Sequence, residues 1–305
     1  MSRGVAETTW DAARLTAWCD PHLQNVEAAL SRWVGVDAPV LLGDAMRYAV
    51  LDGGKRLRPL LVMAASEAVD GNADAALRAA CAAELIHAYS LVHDDLPCMD
   101  NDVLRRGKPT VHVQFGEADA LLAGDALQAL AFELLTPEGD AVPPSMQAAL
   151  CRQLARAAGC QGMAGGQAID LASVGVALDE AQLRKMHRLK TGALLQGSVR
   201  MGVSCGHAAP AAVAALSDYG AAIGLAFQVV DDILDVTADS QTLGKTAGKD
   251  AACDKPTYVS LLGLEGARAQ ARQLLAESLA ALERSGLADT AALRALAHMV
   301  VDRDR

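Results

Sequence analysis

Aromatic residues are scarce in this 305-residue chain, at 3%. Val and Ile occur mostly singly, and no Asn-Gly or Asp-Gly turn lies between alternating flanks. These absences leave no recognisable strand or hairpin. No Cys-x-x-Cys is present; the seven cysteines, at 19, 81, 98, 151, 160, 205 and 253, are odd in number and scattered. That argues against a disulfide framework and a zinc site, and it fits a reducing cytoplasm. No stretch of 18 or more apolar residues is there to span a membrane. The N-terminus lacks a charged, then apolar, then small pattern, with Glu7 and Asp11 falling early, so no signal or transit peptide is expected. Positive charge is also in deficit, for a formal net charge of −10. Nucleic acid, which wants a basic face, is thereby disfavoured. Any anionic substrate must be met by local cations, bound metal included, against an unfavourable background field.

What is present is helix-forming mass. The chain is 52% hydrophobic, mostly Ala and Leu, the strongest apolar helix formers. It reads as all-α, one domain over residues 1–305, with no linker, low-complexity segment or fixed-period repeat. Breaks are expected at Gly35–Pro39, Gly53–Pro59, Val69–Asn72, Pro97–Thr110, Thr136–Pro144, Ser173–Leu178, Gly206–Pro210 and Thr237–Thr257. Asp179-x-x-Gln182 has the form of a capping box and should open a helix running into Lys190. His112, His187 and His298 are scattered and read as structural or surface residues.

Two acidic clusters end apolar stretches. Asp94-Asp95-Leu-Pro-Cys-Met-Asp100 follows Ala82–His93, and Asp231-Asp232-Ile-Leu-Asp235 follows Ala221–Val230. Carboxylates at a helix C-terminus face the negative end of the macrodipole, at a cost of roughly 0.3–1 kcal/mol per charge. A positive partner is therefore required, and a hard cation such as Mg2+, bound through oxygen and shared with substrate phosphates, suits the residues. On a helix Asp231 and Asp235 share a face with Asp232 about 100° round, and Gln228 lies one turn upstream. Pro97 must end or kink the first helix near Asp95, letting Asp100 curl back toward Asp94. His87 sits on nearly the same stripe two turns before Asp94.

The basic residues fall in loops. Gly53-Gly54-Lys55-Arg56-Leu57-Arg58-Pro59 combines backbone freedom with three cations and suits a phosphate, which Arg58 can grip in bidentate fashion. Leu104-Arg105-Arg106-Gly107 trails the first acidic cluster; adjacent arginines diverge, so these two can serve different anions. Lys190-Thr191-Gly192 and Leu243-Gly244-Lys245-Thr246 complete the set. The latter is not a P-loop, lacking both the spacing and a preceding strand. No Ser/His/Asp or Cys/His nucleophile stands out.

Together, D-D-x-x-x-x-D with R-R-G, D-D-x-x-D after F-Q, G-G-K-R-x-R-P and K-T-G resemble the short-chain trans-isoprenyl diphosphate synthases, most closely the bacterial-type farnesyl diphosphate synthases. The likeness covers roughly residues 40 to 260 by motif and extends to Val300–Arg305. It implies an all-α bundle around a deep cavity, usually a homodimer, that joins isopentenyl diphosphate to dimethylallyl or geranyl diphosphate. By this resemblance Mg2+ is held by Asp94, Asp95, Asp100, Asp231, Asp232 and Asp235. Arg105, Lys190 and Lys245 meet the allylic diphosphate, while Lys55, Arg58, His87 and Arg106 hold isopentenyl diphosphate. Thr191 and Gln228 face the allylic cation, and the released diphosphate takes the final proton. The resemblance also assigns product length to Tyr89 and Ser90, five and four residues before Asp94, with the Tyr89 ring implying a stop at C15. Helical geometry alone puts Ser90 on the Asp94 face and Tyr89 about 140° away.

Overall fold

The computed structural model describes residues 10–39, 41–51, 53–176, 178–237 and 257–302. The chain opens with α1 (Ala12–Trp33), α2 (Leu42–Val50), α3 (Leu57–Glu67) and α4 (Ala73–Asp94). A hairpin of two-residue strands follows, β1 (Leu104–Arg105) antiparallel to β2 (Lys108–Pro109). Next come α5 (Val111–Phe115), α6 (Glu117–Leu134), α7 (Pro144–Ala158), α8 (Met163–Ala172) and α9 (Glu180–His187). A single π-helical turn, Arg188–Gly192, joins α9 to α10 (Ala193–Ser204). The rest is α11 (Pro210–Thr237), α12 (Tyr258–Ser285) and α13 (Ala291–Val301).

Why α4 lies at the centre follows from its composition. Alanines at 75, 76, 79, 80, 82, 83 and 88 are all buried, so small side chains face every direction and α1, α2, α3, α6, α7 and α10 can all close on it. Its start is fixed by Asn72, whose side chain accepts the N–H of Ala75 at 2.9 Å. The other long core helix, α11, packs along α12 and also meets α10, α13 and the π turn. Buried side chains form one cluster around α4 and α6 and another around α11 and α12. α3 and α10 contribute to both: Val62, Leu194 and Met201 to the first, Leu60, Leu195 and Val199 to the second. They are the shared wall between the ends of α4 and α11.

By length and composition α4 and α11 would suffice to cross a membrane, but both are largely buried within the bundle, as core helices are. The all-α expectation holds apart from the small hairpin. Asp179 and Gln182 form the reciprocal capping box. The breaks fall where the sequence puts them, with further ones at Gly116, at 159–162 and at 286–290. Most of the Thr237–Thr257 break lies outside the described residues.

Candidate active site

α4 stops at Asp94, with Asp95 as its C-cap. The chain then turns at Pro97 and comes back, Asp100 donating its N–H to the carbonyl of Asp94 at 2.8 Å. Two carboxylates are thereby drawn together. Burial pushes the Asp94 carboxyl up to about 6; Lys190 opposes the shift, while Asp100 and Asp95 add to it. Asp95 points elsewhere. It is buried, and Arg105 takes both its oxygens, from Nε at 2.9 and 3.1 Å and from Nη2 at 2.5 Å. The sequence grouped Asp95 with Asp94 and Asp100; the structure gives its carboxylate to Arg105, because neighbours on a helix sit about 100° apart.

The second cluster repeats this division. Asp232 is buried. Its Oδ1 accepts from Gln228 Nε2 at 3.0 Å and its Oδ2 from the backbone N–H of Tyr258 at 2.8 Å, tying α11 to the start of α12. Asp231 is half-buried and Asp235 buried. From Gln228 the network runs back to the π turn, where Thr191 Oγ1 donates to Gln228 Oε1 at 2.9 Å. The neighbouring Lys190 Nζ donates to Asp170 Oδ2 on α8 at 2.5 Å. Lys190 thus stands between Asp170 and the Asp94 end of α4, and Thr191 leads to α11.

His187, one residue before the π turn, stacks on Tyr258 with ring centroids 5.6 Å apart, and its Nε2 lies 3.9 Å from Asp232. Burial holds its pKa down at about 4, so the ring is neutral. Neither Asp170 nor Tyr258 was singled out by the sequence. Asp170 carried a usable signal, being the lone carboxylate of an otherwise uncharged helix, where a buried charge demands a partner.

Arginines gather around His87, two turns before Asp94 on α4. His87 is held well below the ordinary imidazole value by burial first, then by Arg58, Arg106, Arg105 and Arg56, so one side chain senses all four. Arg106 reaches across from the hairpin and donates to the carbonyl of Gly53 at 2.7 Å. Its guanidinium lies 2.8 Å from where a Cβ on Gly54 would be, and the φ of 132° at Gly54 is what favours glycine there. Lys55 is exposed beside it. Arg56 turns inward: it is 4% exposed, pairs with Glu27 at 2.7 Å and Glu84 at 2.8 Å, and donates to Val50 O. The divergence expected of the adjacent arginines is thus seen at the hairpin, Arg105 going to Asp95 and Arg106 to Gly53. Ser90 Oγ donates to its own helix at His87 O, 2.8 Å away. Tyr89 packs edge-on against His93, ring centroids 5.7 Å apart, and hydrogen-bonds Gln128 of α6. Lys245 lies outside the described residues.

Carboxylates at one end of α4, arginines around His87 two turns before them, and a Lys–Thr–Gln link to α11 thus lie in one helical bundle. The family model "Polyprenyl synthetase" matches residues 39–295. A probable farnesyl diphosphate synthase from Sinorhizobium fredii is 52% identical, covering 86% of this chain and 80% of that protein. A chloroplastic geranylgeranyl pyrophosphate synthase from Capsicum annuum is 47% identical, covering 92% and 76%. Among solved structures, the geranyltransferase of Helicobacter pylori, complexed with magnesium and isoprenyl diphosphate, has a TM-score of 0.82 at 34% identity, covering 96% of this chain and 98% of that one. The chain belongs to the polyprenyl synthetase family.

Proposed function

We propose that the protein condenses isopentenyl diphosphate head to tail with dimethylallyl or geranyl diphosphate, giving (2E,6E)-farnesyl diphosphate and diphosphate. The observation that carries this reading is the run of contacts Asp170–Lys190–Thr191–Gln228–Asp232, which ends in the second acidic segment and whose lysine also acts on Asp94 of the first, together with the arginine group around His87. One region fits an anion bound through metal, the other an anion bound by side-chain cations alone.

Mg2+ fits the residues. The donors are all carboxylate oxygens, and the half-buried Asp94 is raised partly by its acidic neighbours, a strain that a hard cation relieves. Asp94, Asp100, Asp231 and Asp235 are the ligands proposed; Asp95 and Asp232 hold their neighbours in place. Bound Mg2+ supplies charge neutralisation for the departing diphosphate.

The chain's own residues do the rest. Lys190 and Arg105, with Lys245, grip the allylic diphosphate oxygens as negative charge develops on them. The oxygens of Thr191 and Gln228, already hydrogen-bonded to each other, turn their dipoles to the allylic cation. Lys55, Arg58, His87 and Arg106 hold isopentenyl diphosphate with its double bond toward that cation, so orientation is fixed before bonds change. The proton lost from the adduct passes to the released diphosphate.

We further propose that residues 1–305 act as one polyprenyl synthase domain in the cytoplasm, as a homodimer. Val113, Leu121 and Leu122 are exposed on α5 and α6 and supply an apolar face for a second copy. A geranylgeranyl product is the alternative, favoured by the likeness to the Capsicum annuum protein.

The test is a product assay: labelled isopentenyl diphosphate with geranyl diphosphate and Mg2+, products dephosphorylated and sized, with an EDTA control. A Mg2+-dependent C15 alcohol is expected. A C20 alcohol keeps the chemistry and overturns the length; no elongation overturns both.

A further inference from the structure

We infer that Gly166 and Gly224 are positioning residues for the transfer, two backbone contacts from different helices that clamp the π turn and aim Lys190 and Thr191. The inference rests on the reading above, in which those two residues meet the allylic substrate.

Each glycine belongs to a grip of the same form. On α8, Gly166 presses on the backbone of Lys190: a Cβ there would lie 2.0 Å from Lys190 N and 2.4 Å from its Cα. One turn further along the same helix Asp170 accepts from the Lys190 ammonium at 2.5 Å. On α11, a Cβ at Gly224 would lie 2.8 Å from Gly192 Cα and 3.0 Å from its carbonyl oxygen. One turn on, Gln228 accepts from Thr191 Oγ1 at 2.9 Å. In both helices residue n meets the backbone of the turn and residue n+4 holds a side chain of that turn, since i and i+4 share a face. Side chain and backbone are thus fixed together, which a hydrogen bond alone does not achieve for a long lysine.

The π turn explains why two grips are needed. A π turn carries one more residue than an α turn, is rare, and occurs often at functional sites. Here it changes the direction of Lys190 and Thr191 relative to the helix on either side. Flanking helices pressed against its backbone keep the turn from relaxing into a regular α-helix. A methyl on either glycine would push the turn away by a good fraction of an ångström, and displacement of about 1 Å can cost roughly 100-fold in rate.

The experiment is steady-state kinetics at saturating Mg2+ on Gly166→Ala, Gly224→Ala, Lys190→Ala and Thr191→Ala, and on the doubles Gly166→Ala/Lys190→Ala and Gly224→Ala/Thr191→Ala. Each glycine variant should lose about 10- to 100-fold in kcat/KM for geranyl diphosphate. The KM for isopentenyl diphosphate, held by a different set of side chains, should stay within about 2-fold, a split that general loss of structure would not give. In each double, the glycine change should cost no more than about 3-fold beyond its partner, because groups acting through one another are not additive. Gly224→Ala, with the milder contact, carries the test if Gly166→Ala does not fold, as read by thermal melting. Additive losses, or a parallel rise in both KM values, overturn the inference. A crippled Lys190→Ala beside a normal Gly166→Ala overturns it alone, whereas a normal Lys190→Ala overturns the reading of the site as well.

Discussion

Adjacent residues with the same side chain have opposite tasks here, and they should answer substitution oppositely. Asp94 is an acid whose ionised form the fold disfavours, through burial first and then its acidic neighbours; Asp95 is a buried carboxylate fully used by Arg105. Asp94→Asn should therefore raise the melting temperature while lowering turnover by at least about 100-fold, the order seen when one electrostatic contributor is lost from an active site. Asp95→Asn should lower the melting temperature, by an amount corresponding to about 2 kcal/mol for a charge-assisted pair. Equal effects of the two variants on stability would refute the division of labour. His87 gives a pH test. Its folded-state pKa is depressed, so the unfolded chain takes up a proton that the folded chain refuses. The stability from keeping His87 neutral is complete above about pH 6.5 and is lost as pH falls below it, at up to about 1.4 kcal/mol per unit. Denaturant titrations from pH 7 to 5 should show wild type losing stability relative to His87→Gln; parallel curves would count against the arginine surround. Tyr89 is half-buried between α4 and α6, and Tyr89→Ala should shift the product from C15 toward C20. An unchanged product would remove it from length control.

At the scale of elements, the loop before α3 matters because one cation of three is not for substrate. Arg56 has a left-handed backbone, φ 43°, and its guanidinium joins Glu27 of α1 to Glu84 of α4. That turns Arg56 into the core and leaves Arg58 on the His87 side. Arg56→Leu strands Glu84 as a buried carboxylate, and breaking such pairs costs about 3–5 kcal/mol. A melting temperature within a degree of wild type would exclude the anchoring role. Sequence could name the loop as basic but could not separate Arg56 from Arg58, because the partners are 29 and 28 residues away. The same limit explains the other surprises. Most helix ends, the Asp179 capping box and the return of Asp100 toward Asp94 are local matters of Pro, Gly and spacing, and were legible. The π turn, the use of Asp170 and the inward commitment of Asp95 and Asp232 depend on which helix lies alongside, which local pattern does not encode.

Taken whole, the molecule sets anion-binding groups in a chain of net charge −10, and each ligand should depend on the other. Diphosphate alone meets an unfavourable field and two acidic clusters; Mg2+ alone meets carboxylates that, among the described residues, make no three-donor cluster. Each in isolation should bind weakly, and the pair should bind cooperatively because each supplies the charge the other lacks. Ligands that bind only the folded state stabilise it by RT ln(1 + [L]/Kd), about 2.7 kcal/mol at a hundredfold excess over Kd. For a chain of this size that corresponds to a rise of several degrees in melting temperature. Inorganic diphosphate with Mg2+ should therefore raise the melting temperature clearly more than the sum of the shifts from either alone. EDTA should abolish the excess, with no turnover involved in the readout. The link should fail in Asp94→Asn and persist in Arg58→Ala, since the role proposed for Arg58 is to hold isopentenyl diphosphate without metal. A shift from diphosphate alone equal to that of the pair would place the anion among the arginines rather than the aspartates, and would overturn the division of the cleft into a metal-dependent and a metal-free half.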